Sequence, residues 1–204
     1  MDRIKPRDIQ LVQNLVRFNK PYWSVADLQK ILGYKSRQTL LVVLHRLVSS
    51  GVLTRIRRGI YRVSINSAEG ALLANLLYTP SYLSFESALS RHGILSQIPY
   101  SVTMATTRRS KKMILDGTAV EYRQLQRDLF FGHHLEKGLD IAEPEKALLD
   151  ALYLMKRGKL SLALEELDLS GLSTEKLNSY GSRFPRYVRA ALAQLREKIR
   201  KTKP

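Results

Sequence analysis

Apolar side chains over the first fifty residues recur every three or four positions, the period of helices packed on a core. This pattern predicts a first helix over residues 6–18. Ser24 stands directly before the apolar stripe of residues 25–32 and is suited to cap the N-terminus of a second helix. Gly33 follows that stripe and is suited to end the helix, because glycine readily adopts the left-handed conformation.

A third helix is predicted over residues 37–50, with Ser36 as its N-cap. Only residues 33–35 separate it from the second helix, which is the spacing of a helix-turn-helix. At 100° per residue, one face of the third helix is apolar and carries Leu40, Val43, Leu44, Leu47 and Val48. The opposite face is short, polar and partly cationic, which suits an element that enters the major groove of DNA. That face carries Gln38, Thr39, Val42, His45 and Arg46.

Residues 52–63 predict a β-hairpin, because two β-rich halves flank the turn sequence Arg57-Arg58-Gly59. A basic hairpin directly after a recognition helix is typical of the wing of a winged helix. The residues predicted to contact DNA are Lys35, Ser36, Arg37, Gln38, Thr39, Val42, His45, Arg46, Arg55, Arg57, Arg58 and Arg62. Whether Arg37, Gln38 and Thr39 read base edges or hold phosphates stays open. A winged helix used for protein contacts is the alternative.

The remainder of the chain predicts helices interleaved with a few strands. Predicted strands cover residues 100–106, 119–125 and 128–132, and predicted helices cover 68–78, 85–92 and 141–158. Residues 161–184 are expected to form short helical pieces broken at Gly171 and Gly181. A last helix follows Pro185, with a narrow apolar seam of Val188, Leu192, Leu195 and Ile199.

The fold class is therefore α+β: an N-terminal winged helix-turn-helix followed by a small mixed α+β C-terminal domain. The expected organisation is a DNA-binding domain over residues 1–63, a linker helix over 64–79 and a second domain over 80–204.

Charge is concentrated at the two ends of the chain. The net charge of the 204 residues is +16, and residues 1–63 hold 13 Lys and Arg against 3 Asp and Glu, a net of +10. Residues 64–182 balance to −1 (13 against 14), and residues 183–204 carry +7 (8 against 1). This distribution indicates a polyanionic partner, double-stranded DNA, for the N-terminal domain. With 44% hydrophobic residues, no cysteine and no apolar run of membrane-spanning length, we expect a cytoplasmic protein without a membrane contact.

Two groups in the second domain are candidates for contact with a partner or with nucleic acid. The basic segment 106–112, which carries Arg108, Arg109, Lys111 and Lys112, is predicted to be a solvated loop. Contact with DNA, or with a nucleotide or RNA held by a partner, is the alternative. On the predicted helix 141–158, Lys146, Asp150 and Tyr153 share the side opposite the apolar stripe. That side is read either as a solvated face or as a docking stripe for a partner.

The sequence indicates no catalytic centre. Phosphate-binding glycine loops and nucleophile-elbow motifs are absent, and the adjacent His133 and His134 are poorly suited to share one metal ion. We therefore expect a protein that is not an enzyme and has no cofactor and no metal. An enzyme with an unfamiliar centre at these histidines is the alternative.

Several motifs of this chain together resemble the AbiEi family of bacterial antitoxins. They are residues 35–61 with their R-R-G-I-Y wing, Tyr82-Leu83-Ser84, Ser87-Ala88-Leu89, His92-Gly93, Phe131-Gly132, and Ile141 through Asp150. The resemblance implies an antitoxin of a type IV abortive-infection system that opposes an AbiEii-like nucleotidyltransferase toxin encoded next to it. It also implies repression of its own operon, with residues 1–63 on the operator and residues 80–204 acting against the toxin.

The type IV class implies that toxin and antitoxin form no stable complex, a point on which the sequence itself is open, as it is on which residues neutralise the toxin. A homodimer on an inverted repeat is one arrangement on DNA, and monomers on repeated sites are another. The alternative function is a stand-alone winged-helix transcriptional regulator whose C-terminal domain senses a ligand or dimerises.

Overall fold

The chain forms two compact units. The computed structural model describes residues 13–18, 20–64, 70–115 and 117–202. The first unit comprises residues 1–73 together with 115–117, and the second comprises residues 74–114 and 118–204. The α+β class expected from the sequence is confirmed, with a small three-stranded sheet in the first unit and a six-stranded sheet in the second.

The first unit has the element order of a winged helix. Its elements are α1 (residues 13–17), β1 (Trp23–Ser24), α2 (Val25–Leu32), α3 (Arg37–Ser49), β2 (Leu53–Arg57) and β3 (Ile60–Val63). The start predicted for the first helix lies outside the described residues. The core contains the apolar faces of all three helices with Trp23 and Tyr61 from the sheet.

Local signals explain where the two central helices begin and end. At α2, the Ser24 hydroxyl accepts from the Asp27 N–H at 3.1 Å, and the Asp27 carboxylate accepts from the Ser24 N–H at 3.0 Å. This capping box satisfies two otherwise unpaired backbone donors. Gly33 ends α2 with φ = +67°, and Ser36 caps α3 through the Thr39 N–H.

The wing is a hairpin in which β3 lies between its neighbours, in the order β1-β3-β2. Both strand pairings are antiparallel, with Leu53 opposite Val63 and Trp23 opposite Tyr61. Gly59 closes the turn with φ = +79°, a conformation that residues with a Cβ rarely adopt.

The second unit is built on a mixed sheet of order β6-β7-β5-β4-β9-β8. The strands are β4 (Ser81–Leu83), β5 (Val102–Thr106), β6 (Lys111–Leu115), β7 (Thr118–Gln124), β8 (His133–Glu136) and β9 (Leu139–Ala142). The two central contacts differ in direction, because β4 is antiparallel to β5 and parallel to β9.

Five further α-helices lie in the described part of the chain. They are α4 (Gly70–Leu77), α5 (Phe85–Arg91), α6 (Pro144–Met155), α7 (Thr174–Ser182) and α8 (Arg186–Thr202). Helix α6 is the centre of the second unit, since α5, α7 and α8 all pack against it. The seam predicted for α8 is buried at Val188, Leu192 and Leu195, whereas the side chain of Ile199 lies outside the described part.

Four predictions about local structure are wrong. The helix predicted over residues 141–158 begins only at Pro144 and ends at Met155, because Ile141 and Ala142 belong to β9. Residues 128–132 do not form a strand: a 3-10 turn covers Arg127–Leu129, and the strand β8 starts only at His133. The segment 106–112 is not wholly a loop, because Lys111 begins β6. Gly181 does not break a helix, because it is buried within α7 beside Leu192.

Candidate nucleic-acid interface and buried ionic cluster

Helix α3 presents the two faces expected of a recognition helix. Leu40, Leu44 and Leu47 are fully buried in the core of the first unit. The opposite side begins at the N-terminus of the helix, where every residue from Lys35 to Thr39 is exposed. Farther along, Val42 is 69% exposed, His45 is exposed, and Arg46 is half-buried. The predicted contact residues of α3 thus share one accessible face, with Arg46 at its edge.

The wing presents guanidinium groups to solvent. Arg55, Arg57 and Arg58 are exposed, and Arg62 is half-buried. The strand pairing shifts register between Arg55 and Arg57, and Ile56 between them is buried. At this bulge Ile56 is buried while the two neighbouring guanidinium groups stay in solvent.

The electrostatic character of this face follows from the scarcity of carboxylates. Asp27 is the single acidic residue in the sequence of residues 13–64. Its carboxylate accepts hydrogen bonds from the Ser24 N–H in the α2 cap and from the Lys20 ammonium, the latter at 3.1 Å. These hydrogen bonds, of which the one from the Ser24 N–H has the largest effect, lower the pKa of Asp27. Asp27 therefore does little to offset the cations of α3 and of the wing, and the face is strongly positive.

A different kind of site lies inside the second unit, where Lys146 and Asp150 form an ion pair one turn apart on α6. Both side chains are completely buried, with 0% exposure. Tyr82, on β4, accepts from the Lys146 ammonium at 2.8 Å and donates to the Asp150 carboxylate at 2.9 Å. The Ser84 hydroxyl donates to the same carboxylate oxygen at 2.9 Å. We call these four residues the ionic cluster.

Aromatic rings surround the ammonium of the ionic cluster. Lys146 Nζ lies 5.1 Å from the ring centre of Phe131 and 5.2 Å from that of Phe184, which are cation–π distances. Gly132 also packs closely against Lys146. Its φ is +68°, and a Cβ there would lie 3.2 Å from Cγ of Lys146. Burial lowers the pKa of Lys146 and raises the pKa of Asp150, while the opposite charge of each partner counteracts this effect.

The prediction that Lys146, Asp150 and Tyr153 lie on a solvated or partner-docking face is wrong, because all three are buried. Lys146 and Asp150 face the sheet through Tyr82 and Ser84 rather than solvent. Tyr153 packs beside Phe184 and Tyr187 of the C-terminal segment. Sequence analysis missed Tyr82 and Ser84 as polar partners, although both stand in the quoted motif Tyr82-Leu83-Ser84. The motifs Tyr82–Ser84, Phe131-Gly132 and Lys146–Asp150 thus converge on one cluster.

Comparison with known proteins bears on the first unit directly. Residues 10–64 match the family model described as "Transcriptional regulator, AbiEi antitoxin". The N-terminal domain is of the AbiEi type. The resemblance stated from the sequence is confirmed there, and the match spans α2, α3 and the wing.

A solved structure supports the fold of nearly the whole chain. The Rv2827c protein from Mycobacterium tuberculosis superposes with a TM-score of 0.68 over 96% of this chain and 78% of its own length. The two sequences are 17% identical, so this likeness concerns the fold. No curated protein sequence matches this chain significantly.

The basic segment after the AbiEi-type domain is organised around Tyr78. The guanidinium of Arg108 lies 4.4 Å from the centre of the Tyr78 ring, and the Tyr78 hydroxyl donates to the Arg109 carbonyl at 2.9 Å. Lys112 is paired with Glu121 at 2.7 Å. Arg108, Arg109, Lys111 and Lys112 are all exposed, so the structure places the four cations on the surface with one of them paired.

The two adjacent histidines occupy different environments on β8. His133 stacks on Tyr82 with ring centres 4.4 Å apart and bonds to Asp140 at 2.7 Å, whereas His134 is exposed. Within the described ranges, no group of three or more His, Asp or Glu residues is placed to hold a metal ion. No helix of the described part is long and apolar enough to cross a membrane.

Proposed function

We propose that this chain is an antitoxin that represses its own operon through the AbiEi-type domain and counteracts a nucleotidyltransferase-type toxin. The observation that carries the DNA-binding part is the exposed face formed by residues 35–46 of α3 and its N-terminal turn. This face is cationic, projects from a well-packed core and belongs to a domain of a transcriptional regulator family. The +10 charge of residues 1–63 supports a polyanionic partner.

In this proposal, the N-terminal turn of α3 enters the major groove. Gln38 and Thr39 offer polar groups to base edges, and the exposed side chain of Val42 suits contact with a thymine methyl group. Lys35 and Ser36 lie at the helix N-terminus, where the backbone favours a phosphate. The wing cations Arg55, Arg57 and Arg58 hold the duplex backbone and add affinity without reading sequence.

The neutralising activity is assigned to the second unit. Its fold matches a solved structure along with the first unit, and it carries the motifs of the family resemblance. We propose that the second unit acts on the toxin by binding or by regulation rather than by catalysis, without a cofactor. A homodimer on the operator is part of this proposal, whereas the type IV class implied by the resemblance predicts no stable toxin complex.

Fluorescence anisotropy with the duplex from upstream of the gene tests the DNA-binding part, with a shuffled duplex as the reference. Gln38→Ala should reduce the preference for the operator about fivefold or more, because a base contact contributes about 1–3 kcal/mol of discrimination. Arg58→Ala should weaken binding to both duplexes and lower the salt slope by about one unit, since it removes one phosphate contact. Arg127→Ala, an exposed cation of the second unit, is the control. An unchanged preference in Gln38→Ala would place the recognition surface elsewhere.

Co-expression tests the antitoxin part. The gene next to this one should arrest growth when induced alone, and induction of this chain should restore growth. A chain limited to operator repression would change transcription of the operon without relieving arrest by toxin expressed from an unrelated promoter. A small molecule that alters operator affinity, beside a harmless neighbouring gene, would favour the stand-alone regulator.

A further inference from the structure

The C-terminal part of the second unit carries positive charge that the proposed function does not use. Residues 183–204 have a net charge of +7, and residues 183–196 contain four arginines without an Asp or Glu. Residues 151–164, which cover the end of α6 and the segment after it, contain three cations and again no carboxylate. Because α6 and α8 pack against each other, the two cationic segments meet at the surface of one unit.

Four aromatic rings form a row next to this charge. Phe131, Phe184, Tyr153 and Tyr187 contact one another in that order, with successive ring centres 6.0, 6.3 and 6.3 Å apart. Phe184 and Tyr153 are buried, whereas Tyr187 at the end of the row is 43% exposed and lies within 22° of parallel to Tyr153. The ring of Tyr187 is therefore held by the core and still accessible to a ligand.

Two exposed arginines lie on the rings of this row. The guanidinium of Arg183 is 3.6 Å from the ring centre of Phe131, and it donates to the Asp128 carbonyl at 3.4 Å. The guanidinium of Arg157 is 5.2 Å from the ring centre of Tyr153 and donates to the Tyr153 hydroxyl. Within the described part of the chain, neither guanidinium is paired with a carboxylate, so both charges are held in place and available to an anion.

Arg186 adds a third exposed cation, directly before Tyr187. It is the first residue of α8, where a positive charge opposes the helix dipole, and no acidic residue stands in the first turn of this helix. The charge of Arg186 therefore does not stabilise α8, which leaves recognition of a ligand as its use. We call Arg157, Arg183, Arg186 and Tyr187 the arginine–tyrosine patch.

The chemistry of the arginine–tyrosine patch matches that of a single-stranded nucleic acid. Guanidinium groups bind phosphates, and both guanidinium planes and aromatic rings stack on bases. A duplex hides the faces of its bases, so cations alone are enough to hold its backbone. An accessible ring among fixed cations suits bases that are unpaired.

We propose that the arginine–tyrosine patch binds a single-stranded segment of RNA or DNA, with a base on Tyr187 and the neighbouring phosphates on the three arginines. RNA and DNA share the chemistry that the patch recognises, and the test separates the two. This inference goes beyond the proposed function, which assigns the operator duplex to the first unit. Operator binding through α3 and the wing requires none of the four patch residues.

Fluorescence anisotropy of the full-length chain with labelled oligonucleotides tests the role of the ring. The probes are a uridine oligomer and a thymidine oligomer of about 12 nucleotides, a length within the range of single-strand sites, and the operator duplex is the reference. Tyr187→Ala removes the ring, and Tyr187→Phe retains it. Tyr100→Ala is the matched control, because Tyr100 is a 98% exposed tyrosine of the same unit.

A second pair of variants tests the cations. Arg157→Gln/Arg186→Gln removes two charges of the patch, and Arg109→Gln/Lys111→Gln removes two charges from another exposed part of the second unit. Circular dichroism shows whether each variant is folded. The four substituted cations are exposed, so this pair tests the patch also where Tyr187→Ala fails to fold.

We expect Tyr187→Ala to weaken binding of a single strand about tenfold, as for other aromatic residues that stack on a base. Tyr187→Phe and Tyr100→Ala should bind as the wild type does. Arg157→Gln/Arg186→Gln should weaken binding and lower the salt slope by about 1.4 units, because each phosphate contact on a single strand contributes about 0.7. Affinity for the operator duplex should be unchanged in all of these patch variants.

A loss of affinity for the uridine oligomer alone would support the proposal with RNA as the ligand, and a loss for the thymidine oligomer alone would support it with DNA. Equal binding by Tyr187→Ala and Tyr100→Ala, or equal losses in the two double variants, would overturn the proposal, since charge alone would then explain binding. Patch variants that weaken binding to the operator duplex as much as to the single strands would also overturn it, in favour of a second contact with duplex DNA.

Discussion

Replacing Lys146 with Met should destabilise the second unit by about 3 kcal/mol, because it leaves a fully buried carboxylate without its counter-charge. Asp150 would still accept from Tyr82 and Ser84, which keeps the loss near the lower end of the range of about 3–5 kcal/mol for breaking a buried pair. Asp150→Asn should cost at least as much, since it strands the ammonium among aromatic rings. The double variant Lys146→Met/Asp150→Asn should recover about 2 kcal/mol, because it leaves neither charge behind.

The pH dependence of Lys146→Met gives a second, independent signature. Burial already raises the pKa of Asp150, whereas the charge of Lys146 lowers it. Removal of Lys146 should therefore raise the pKa of Asp150 further. The folded variant would then hold a proton that the unfolded chain releases. Its free energy of unfolding relative to wild type should therefore fall as the pH rises from about 4 toward the folded pKa, by up to about 1.4 kcal/mol per unit. The deficit is expected to be smallest in acid.

Urea unfolding followed by far-UV circular dichroism at pH 4.5 and 7.5 measures both effects. Trp23, the single tryptophan, lies in the first unit, so its fluorescence shows whether the loss is confined to the second unit. Lys156→Met, at an exposed position just after α6, is the control and should stay within about 0.5 kcal/mol of wild type. A Lys146→Met variant as stable as that control, or a double variant less stable than both single ones, would refute the account of the ionic cluster.

Two further stability predictions follow from local geometry. Gly132→Ala should cost about 1–2 kcal/mol or more, because φ is +68° and the new Cβ would press on Lys146, whereas Gly171→Ala meets no atom within 4 Å and should be nearly neutral. Thermal unfolding of the second unit compares the two variants, and equal melting temperatures would contradict the close packing of Gly132 against Lys146. Ser24→Ala should destabilise the first unit by about 1 kcal/mol through loss of the capping box, measured by Trp23 fluorescence in urea. An unchanged midpoint would mean that the cap adds nothing there.

The first unit could be predicted almost completely from the sequence because its signals are local. The caps Ser24 and Ser36, the turn residues Gly33 and Gly59, and a helical apolar period each lie within a few residues of the structure that they specify. The short strand β1 was missed, since two residues are too few to show an alternating pattern. The contact face of α3 follows from helical geometry alone once the buried face is known.

The ionic cluster could not be predicted in the same way. On an isolated helix, Lys146 and Asp150 four residues apart indicate a solvated ion pair. Their burial depends on Tyr82 and Ser84, which lie more than sixty residues earlier in the chain and reach α6 through the sheet. Phe131 was read as part of a strand for a similar reason, since its ring packs on Tyr180 and Phe184 rather than on neighbouring strands. The family motifs carried the missing information, because they picked out the residues that meet.

The buried cluster also bears on how the second unit can carry function. In this polar network every charge is paired, and the ion pair is 0% exposed. Such a network favours one packing of α6 on the sheet, because a shift of α6 along the sheet would leave a buried charge without its partner. It offers no surface to a partner, so recognition must take place at the exterior of the unit. There the exposed groups differ in sign, with cations around Tyr78 and carboxylates at Glu165 and Glu166. The net charge of +16 therefore arises from residues 1–63 and 183–204, whereas residues 64–182 balance to −1. The proposed DNA contact should depend steeply on salt concentration, since counterion release governs it.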